Sequence, residues 1–128
     1  MREIKFRAWN KRDKRMEYNV NVNQGKPVKQ GYQWLNTENI ETVYGSPLQQ
    51  FTGLKDSNGN EIYEGDIYQY LVQFSHYDHY KGAYKSTSVV EWREGAFWVG
   101  EYLLSEALYG DFQPEIIGNI YENPELIK

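Results

Sequence analysis

Residues Gln50 to Ile67, QFTGLKDSNGNEIYEGDI, place two turn signals inside one strand-rich stretch and so limit what the chain can fold into. Asp56-Ser57-Asn58-Gly59 supplies a residue that tolerates positive φ followed by glycine, which a tight hairpin turn demands. Glu64-Gly65-Asp66 then breaks the strand after Ile62-Tyr63, and a new β-rich run begins at Ile67. A glycine there lets the chain enter the next strand sharply, and Asp66 can accept hydrogen bonds from nearby backbone N–H groups. Asn58, Gly59, Gly65, Asp66 and Gly95 are therefore read as structural turn residues. These features specify how a small β-structure is assembled; they specify no reaction.

Strand patterning extends outward from this stretch. Leu48–Thr52 and Glu61–Tyr63 flank the first turn. Ile67 to Phe74, IYQYLVQF, is β-branched and aromatic throughout, too apolar for a strand with one exposed face, and is expected to be central and covered on both sides. Ser75 to Thr87 is expected as a polar, aromatic loop or a long hairpin tip. Ser88–Arg93 and Ala96–Gly100 flank Glu94-Gly95, a second tight hairpin carrying Trp92, Phe97 and Trp98. Tyr102–Tyr109 has helical composition, one or two turns ended by Gly110. Glu115–Tyr121 reads as a last strand, stopped by Pro124.

At the start, Ile4, Phe6 and Ala8 alternate with Glu3, Lys5 and Arg7, and alternation resumes at Met16, Tyr18, Val20 and Val22 beyond a polar turn. Residues 2–22 thus make a hairpin whose Lys and Arg side chains lie on its outward face and in its turn. Asn23–Gly31 reads as a loop, and a short helix over Thr37–Val43 is capped by Asn36 or Thr37.

The 128 residues suit a single domain, with an N-terminal hairpin and variable segment (1–47) packing on a barrel-like β core (48–128). The ring-bearing residues, 12 Tyr, 4 Trp and 5 Phe, fit half-buried strands better than packed helices. With 0 Cys, disulfides, thiol catalysis and thiolate metal sites are excluded, in keeping with a cytoplasmic location. MREIKFRAW has no apolar secretion segment and no window reaches spanning length, so no membrane role is expected. Seven Lys and Arg fall within the first 15 residues, whereas after Arg93 only Lys128 stands against seven acids. Such ends can meet a polyanion, pair internally, or pair head to tail between copies.

Three blocks, MREIKFRAWN, QFTGLKDSNGNEIYEGDI and IIGNIYENPELI, resemble the YopX family of small phage and prophage proteins in order and spacing. The resemblance implies a mainly β fold: a small, partly open SH3-like barrel with hairpins and one or two short helices. It implies a mobile-element origin, and it brings no catalytic or binding residues with it.

The candidate sites are sparse in ligands and bases. His76 and His79, around Asp78, are the only histidines, and a metal site needs three or four ligands. Glu61, Glu64 and Asp66, like Glu122 and Glu125, sit where turns and strand edges favour acids, without convergent spacing. Ser88 and Ser105 lack a neighbouring base, and Gly53, Gly59, Gly65 and Gly95 are too dispersed to cradle phosphate. No enzyme activity, cofactor or metal is therefore expected. The expected role is a homo-oligomeric protein-interaction module that engages itself and a host or phage protein. Its partner-facing residues are His76, Tyr77, His79, Tyr80 and Tyr84. The alternative is a single-stranded nucleic-acid-binding β-barrel, with surface rings stacking bases and Arg2, Lys5, Arg7, Lys11 and Arg12 meeting phosphates; a pI of 5.2 argues against it.

Overall fold

The computed structural model describes residues 3–23, 26–29, 33–34, 48–76, 80–108 and 115–127, with side chains at 3–20, 48–71, 84–108 and 115–127. The protein is mainly β. It divides into two compact units, Met1–Gly53 and Leu54–Lys128, with the boundary inside a strand.

In the first unit, β1 (Phe6–Asn10), β2 (Arg15–Asn23), β3 (Lys26–Lys29) and β4 (Gln33–Trp34) form successive antiparallel pairs, and β5 (Gln49–Lys55) joins the free edge of β1. The expected loop over Asn23–Gly31 is instead strand at Lys26–Lys29, where Pro27 pairs with Val22. The expected helix over Thr37–Val43 lies outside the described residues. Between β1 and β2, Asn10 Oδ1 accepts the Asp13 N–H at 3.0 Å, and Lys14 takes the positive φ (52°) that closes the turn.

Arg7, expected to face solvent, lies on the face of β1 away from Ala8 as its alternation requires, but that face is covered too, with Trp9 on it only 9% exposed. What a bulge changes is β2. Phe6 pairs with Val20 and Arg7 with Tyr18, leaving Asn19, at φ 57°, as the extra residue. One added residue inverts a period-two pattern. Hence Val20 and Glu17 share the buried face with Ala8, while Tyr18 is half-exposed. Arg7 is only 3% exposed and donates from Nε to Gln49 Oε1 at 2.9 Å across the β1–β5 ladder. Ala8 and Val20 make a small core with Phe6 and Leu48.

In the second unit, the end of β5 turns at Asp56–Gly59 into β6 (Glu61–Tyr63), and Glu64-Gly65 leads into β7 (Asp66–His76). β8 (Tyr80–Arg93), β9 (Ala96–Val99), β10 (Tyr102–Leu103) and β11 (Glu115–Asn119) complete an open five-stranded sheet in the order β10-β9-β8-β7-β11. The strand expected to be central, β7, has β11 and β8 as neighbours, but β8 holds the middle position. Of the two alternatives for Ser75–Thr87, the long hairpin tip is the one found: β7 runs to His76 and β8 begins at Tyr80. The helical signal of Tyr102–Tyr109 yields a two-residue strand followed by one turn, α1 (Leu104–Ala107). Ile62, Tyr68, Tyr70, Val90, Val99, Leu104 and Ala107 form the core. The last segment is a 3-10 helix, Pro124–Ile127, so Pro124 opens a helical turn rather than merely ending a strand.

Candidate partner-binding surface

The root of the β7–β8 hairpin is held by side chains that the turn sequences supply. Asp56, nearly buried, accepts the N–H groups of Asn58 (3.0 Å) and Asn60 (2.8 Å) within its own turn. Its Oδ2 also accepts Asn60 Nδ2 at 3.2 Å and, 60 residues onward, the Ile116 N–H of β11 at 2.9 Å. Asp66 Oδ2 accepts the Tyr63 N–H at 2.8 Å. Gly65 donates its N–H to Val90 O and accepts from Ile120 N, so one turn is bonded to both flanking segments. Gly59, Gly65 and Gly95 all take φ between 78° and 85°. Tyr68 donates from its hydroxyl to Ala107 O at 3.1 Å, fastening β7 to α1. Burial, with Asp56 and Tyr70 adding to it, pushes the Tyr68 phenol well above its ordinary value.

From this root the hairpin runs past its neighbours. Ten rungs pair β7 with β8 from Ile67–Val89 to His76–Tyr80 without a register shift. β11 pairs with β7 only from Asp66 to Gln69, and β9 with β8 only from Val90 to Arg93. Among the described residues, no further strand pairs with the hairpin between the Leu71–Lys85 and His76–Tyr80 rungs.

Of the sequence-predicted partner residues, His76 and Tyr80 lie opposite each other on the last rung, and Tyr84, opposite Val72, is 56% exposed. Tyr77 and His79 lie outside the described residues. Of the proposed phosphate contacts, Arg2 lies outside them and Arg7 is buried. Lys5 lies 3.2 Å from Glu3 and 4.7 Å above the Phe51 ring. Lys11 and Arg12 are exposed in the β1–β2 turn, with Arg12 3.7 Å from Asp13. Arg15 bonds Glu17 at 2.6 Å, and that bond raises its already high pKa. The N-terminal cations are thus interleaved with acids.

The tight hairpin expected about Glu94-Gly95 is present as the β8–β9 tip, and the structure adds how its side chains are arranged. Glu94 (φ 50°) and Gly95 (φ 78°) both take positive φ, the type I′ geometry that suits strand twist. On one face Trp92, half-exposed, meets Phe97 edge-on at 4.8 Å. On the other, Arg93 lies 4.8 Å over Trp98, whose Nε1 donates to Arg93 O at 3.0 Å, while the guanidinium bonds Glu91 and Gly100 O. The Trp-x(4)-Phe-Trp spacing about Glu-Gly carried this signal. Separately, a half-open cleft of about 270 Å³ is lined by Ser57, Gln69, Tyr70, Leu71, Lys85 and Glu115. Among the described residues, no three His, Asp or Glu side chains group to hold a metal ion, and no helix is long and apolar enough to cross a membrane.

Comparison with known proteins gives a consistent picture. A family model described as "YopX protein" matches residues 5–128. A solved structure, that of protein EF1440 from Enterococcus faecalis, is 31% identical, covers 100% of both chains and superposes with a TM-score of 0.65. No curated protein matches the chain.

Proposed function

The chain belongs to the YopX family, and on that premise we propose that it is a non-enzymatic, phage-derived protein of the host cytoplasm that self-associates and engages another protein through the β7–β8 hairpin. The observation that carries this reading is the stretch of hairpin from Leu71–Lys85 to His76–Tyr80, which among the described residues extends beyond both flanking strands. A two-stranded ribbon is marginal by itself and leaves backbone groups for a partner to satisfy. The half-exposed rings of Tyr84, Trp92 and Tyr102 are residue types enriched at interfaces. Asp56 and Asp66, acids that could have served chemistry, are occupied with backbone N–H groups, which supports a structural use of the turn carboxylates. Light scattering of the purified protein is expected to give more than one subunit, and affinity capture from phage-infected cells to recover a host or phage protein. A strict monomer with an empty capture would overturn the proposal.

The second reading, binding of single-stranded nucleic acid, is favoured by the same exposed rings. Burial of Arg7 and the acids set among the N-terminal cations weigh against it. Titration of labelled single-stranded DNA and RNA at low and high salt is expected to show no salt-dependent binding at micromolar protein.

A further inference from the structure

We propose that Asn58-Gly59 is a self-modifying site: the Gly59 nitrogen closes on the Asn58 side-chain amide, releasing ammonia and leaving aspartate or isoaspartate at position 58, with the hydrogen bonds of Asp56 as the gate.

The position stands out among the asparagines of the chain. Asn58 is the one followed by glycine; the others precede Lys, Val, Gln, Thr, Ile, Glu or Pro. Closure joins the nitrogen of the next residue to the asparagine Cγ, so a side chain on that next residue crowds the attack. Glycine has none. The turn leaves room as well. Asn58 and Gly59 are both exposed, so solvent reaches them, and a Cβ built on Gly59 would meet nothing within 4 Å.

The step needs water and no other reactant. Gly59 N gives its proton to solvent as it bonds Asn58 Cγ; the Cγ–Nδ2 bond breaks and Nδ2 departs as ammonia. Water then opens the cyclic imide at one of its two carbonyls. Opening at Cγ gives aspartate. Opening at the main-chain carbonyl gives isoaspartate, which routes the backbone through the side chain and adds a methylene to it. Nothing is oxidised or reduced.

The folded turn restrains the attacking atom. Gly59 N–H donates to Asp56 O at 3.1 Å, and it must give up that bond and its proton before it can attack. On either side of Gly59, the N–H groups of Asn58 and Asn60 are gathered on Asp56 Oδ1 at 3.0 and 2.8 Å. The rate of closure therefore follows the fraction of time in which this turn is open. The product acts back on the gate. An added backbone methylene separates the two N–H groups that share Asp56 Oδ1, and so loosens the carboxylate whose Oδ2 holds the Ile116 N–H of β11 at 2.9 Å.

The test incubates the full chain at neutral pH in heavy-oxygen water, which labels only product formed during the incubation, and reads every asparagine by peptide mass mapping. Label is expected at position 58 ahead of all others, and more slowly in the folded chain than in urea. Asp56→Ala, shown to be folded by circular dichroism, is expected to react about tenfold faster than folded wild type, the factor that about 1.4 kcal/mol of lost closing free energy gives; in urea the two should react alike. Should Asp56→Ala not fold, Asn60→Ala, which removes only the 3.2 Å side-chain bond to Asp56 Oδ2, is expected to give a smaller acceleration. Wild type enriched in isoaspartate should exchange its Ile116 amide faster than fresh protein. No label at position 58 even in urea overturns the site. A folded wild type that reacts as fast as the unfolded chain, or a folded variant that reacts no faster than wild type, overturns the gate.

Discussion

Asp56 joins a local turn to a distant strand with one carboxylate, accepting two N–H groups and an amide inside the turn and a third N–H from β11. Removing it takes the shared acceptor from four part-buried hydrogen bonds, one of which ties the turn to β11. Asp56→Ala should therefore cost about 2–4 kcal/mol, measured as a drop in the urea midpoint. Tyr68 gives a pH-dependent counterpart. Its phenol ionises above the ordinary value of 10.0 when folded, so the unfolded chain releases that proton first. The associated stability is fully present below pH 10.0 and is lost as pH rises toward the folded pKa. Thermal unfolding against pH should fall off on the alkaline side for wild type and be flatter for Tyr68→Phe, which also forfeits about 1 kcal/mol with the bond to Ala107 O. Arg7 and Arg12, alike in the sequence, should separate in the same assay. Arg7→Ala should cost about 2 kcal/mol by emptying a buried site that now serves Gln49, whereas Arg12→Ala, at an exposed turn, should change stability by less than about 0.5 kcal/mol.

Among the elements, the β8–β9 hairpin and β11 show two reasons for a glycine. Gly95 is required by its φ of 78°, while an added Cβ would meet nothing within 4 Å. Gly118 is required by space: its Cβ would fall 2.3 Å from Asn123 Oδ1 and 3.0 Å from Asn123 Cβ. That asparagine is itself engaged. Its Oδ1 accepts the Asn119 N–H at 3.3 Å, while Asn119 Oδ1 accepts from Tyr121 and Glu122. Gly95→Ala should thus cost about 1 kcal/mol of backbone strain. Gly118→Ala should cost about 2–3 kcal/mol by displacing the Asn119–Asn123 turn that precedes the 3-10 helix. Denaturant unfolding of the pair should rank them in that order.

For the whole molecule the question is what holds copies together. Residues 91–128 carry eight acids against two bases, net −6, and residues 1–90 carry the remaining +2. Head-to-tail attraction between such ends would weaken as salt shortens the Debye length from about 10 Å at 0.1 M to about 3 Å at 1 M. A contact built on the backbone groups of the β7–β8 hairpin should keep its mass across that range, which light scattering in rising NaCl checks directly. Much of this architecture was legible because it is local. The turns at Asp56–Gly59, Glu64–Gly65 and Glu94–Gly95 and the apolar run through β7 are dictated by φ requirements and by side-chain pattern within a few residues. The candidate site was legible only as the neighbourhood of residues 75–87. Its polar, aromatic composition left a loop and a long hairpin tip as alternatives, and the β7–β8 ladder chose between them. Other decisions lay beyond any local window. The bulge at Asn19 put Val20 and Tyr18 on opposite faces; Arg7 was covered beside Gln49; Asp56 found a donor 60 residues away; and β8, not β7, took the middle of its sheet. The sequence by itself determined where the chain turns and that it would be mainly β, because those outcomes depend on neighbours along the backbone. Which faces are covered, and which strands pair, only the tertiary structure decided, because burial and strand pairing depend on segments that meet through space.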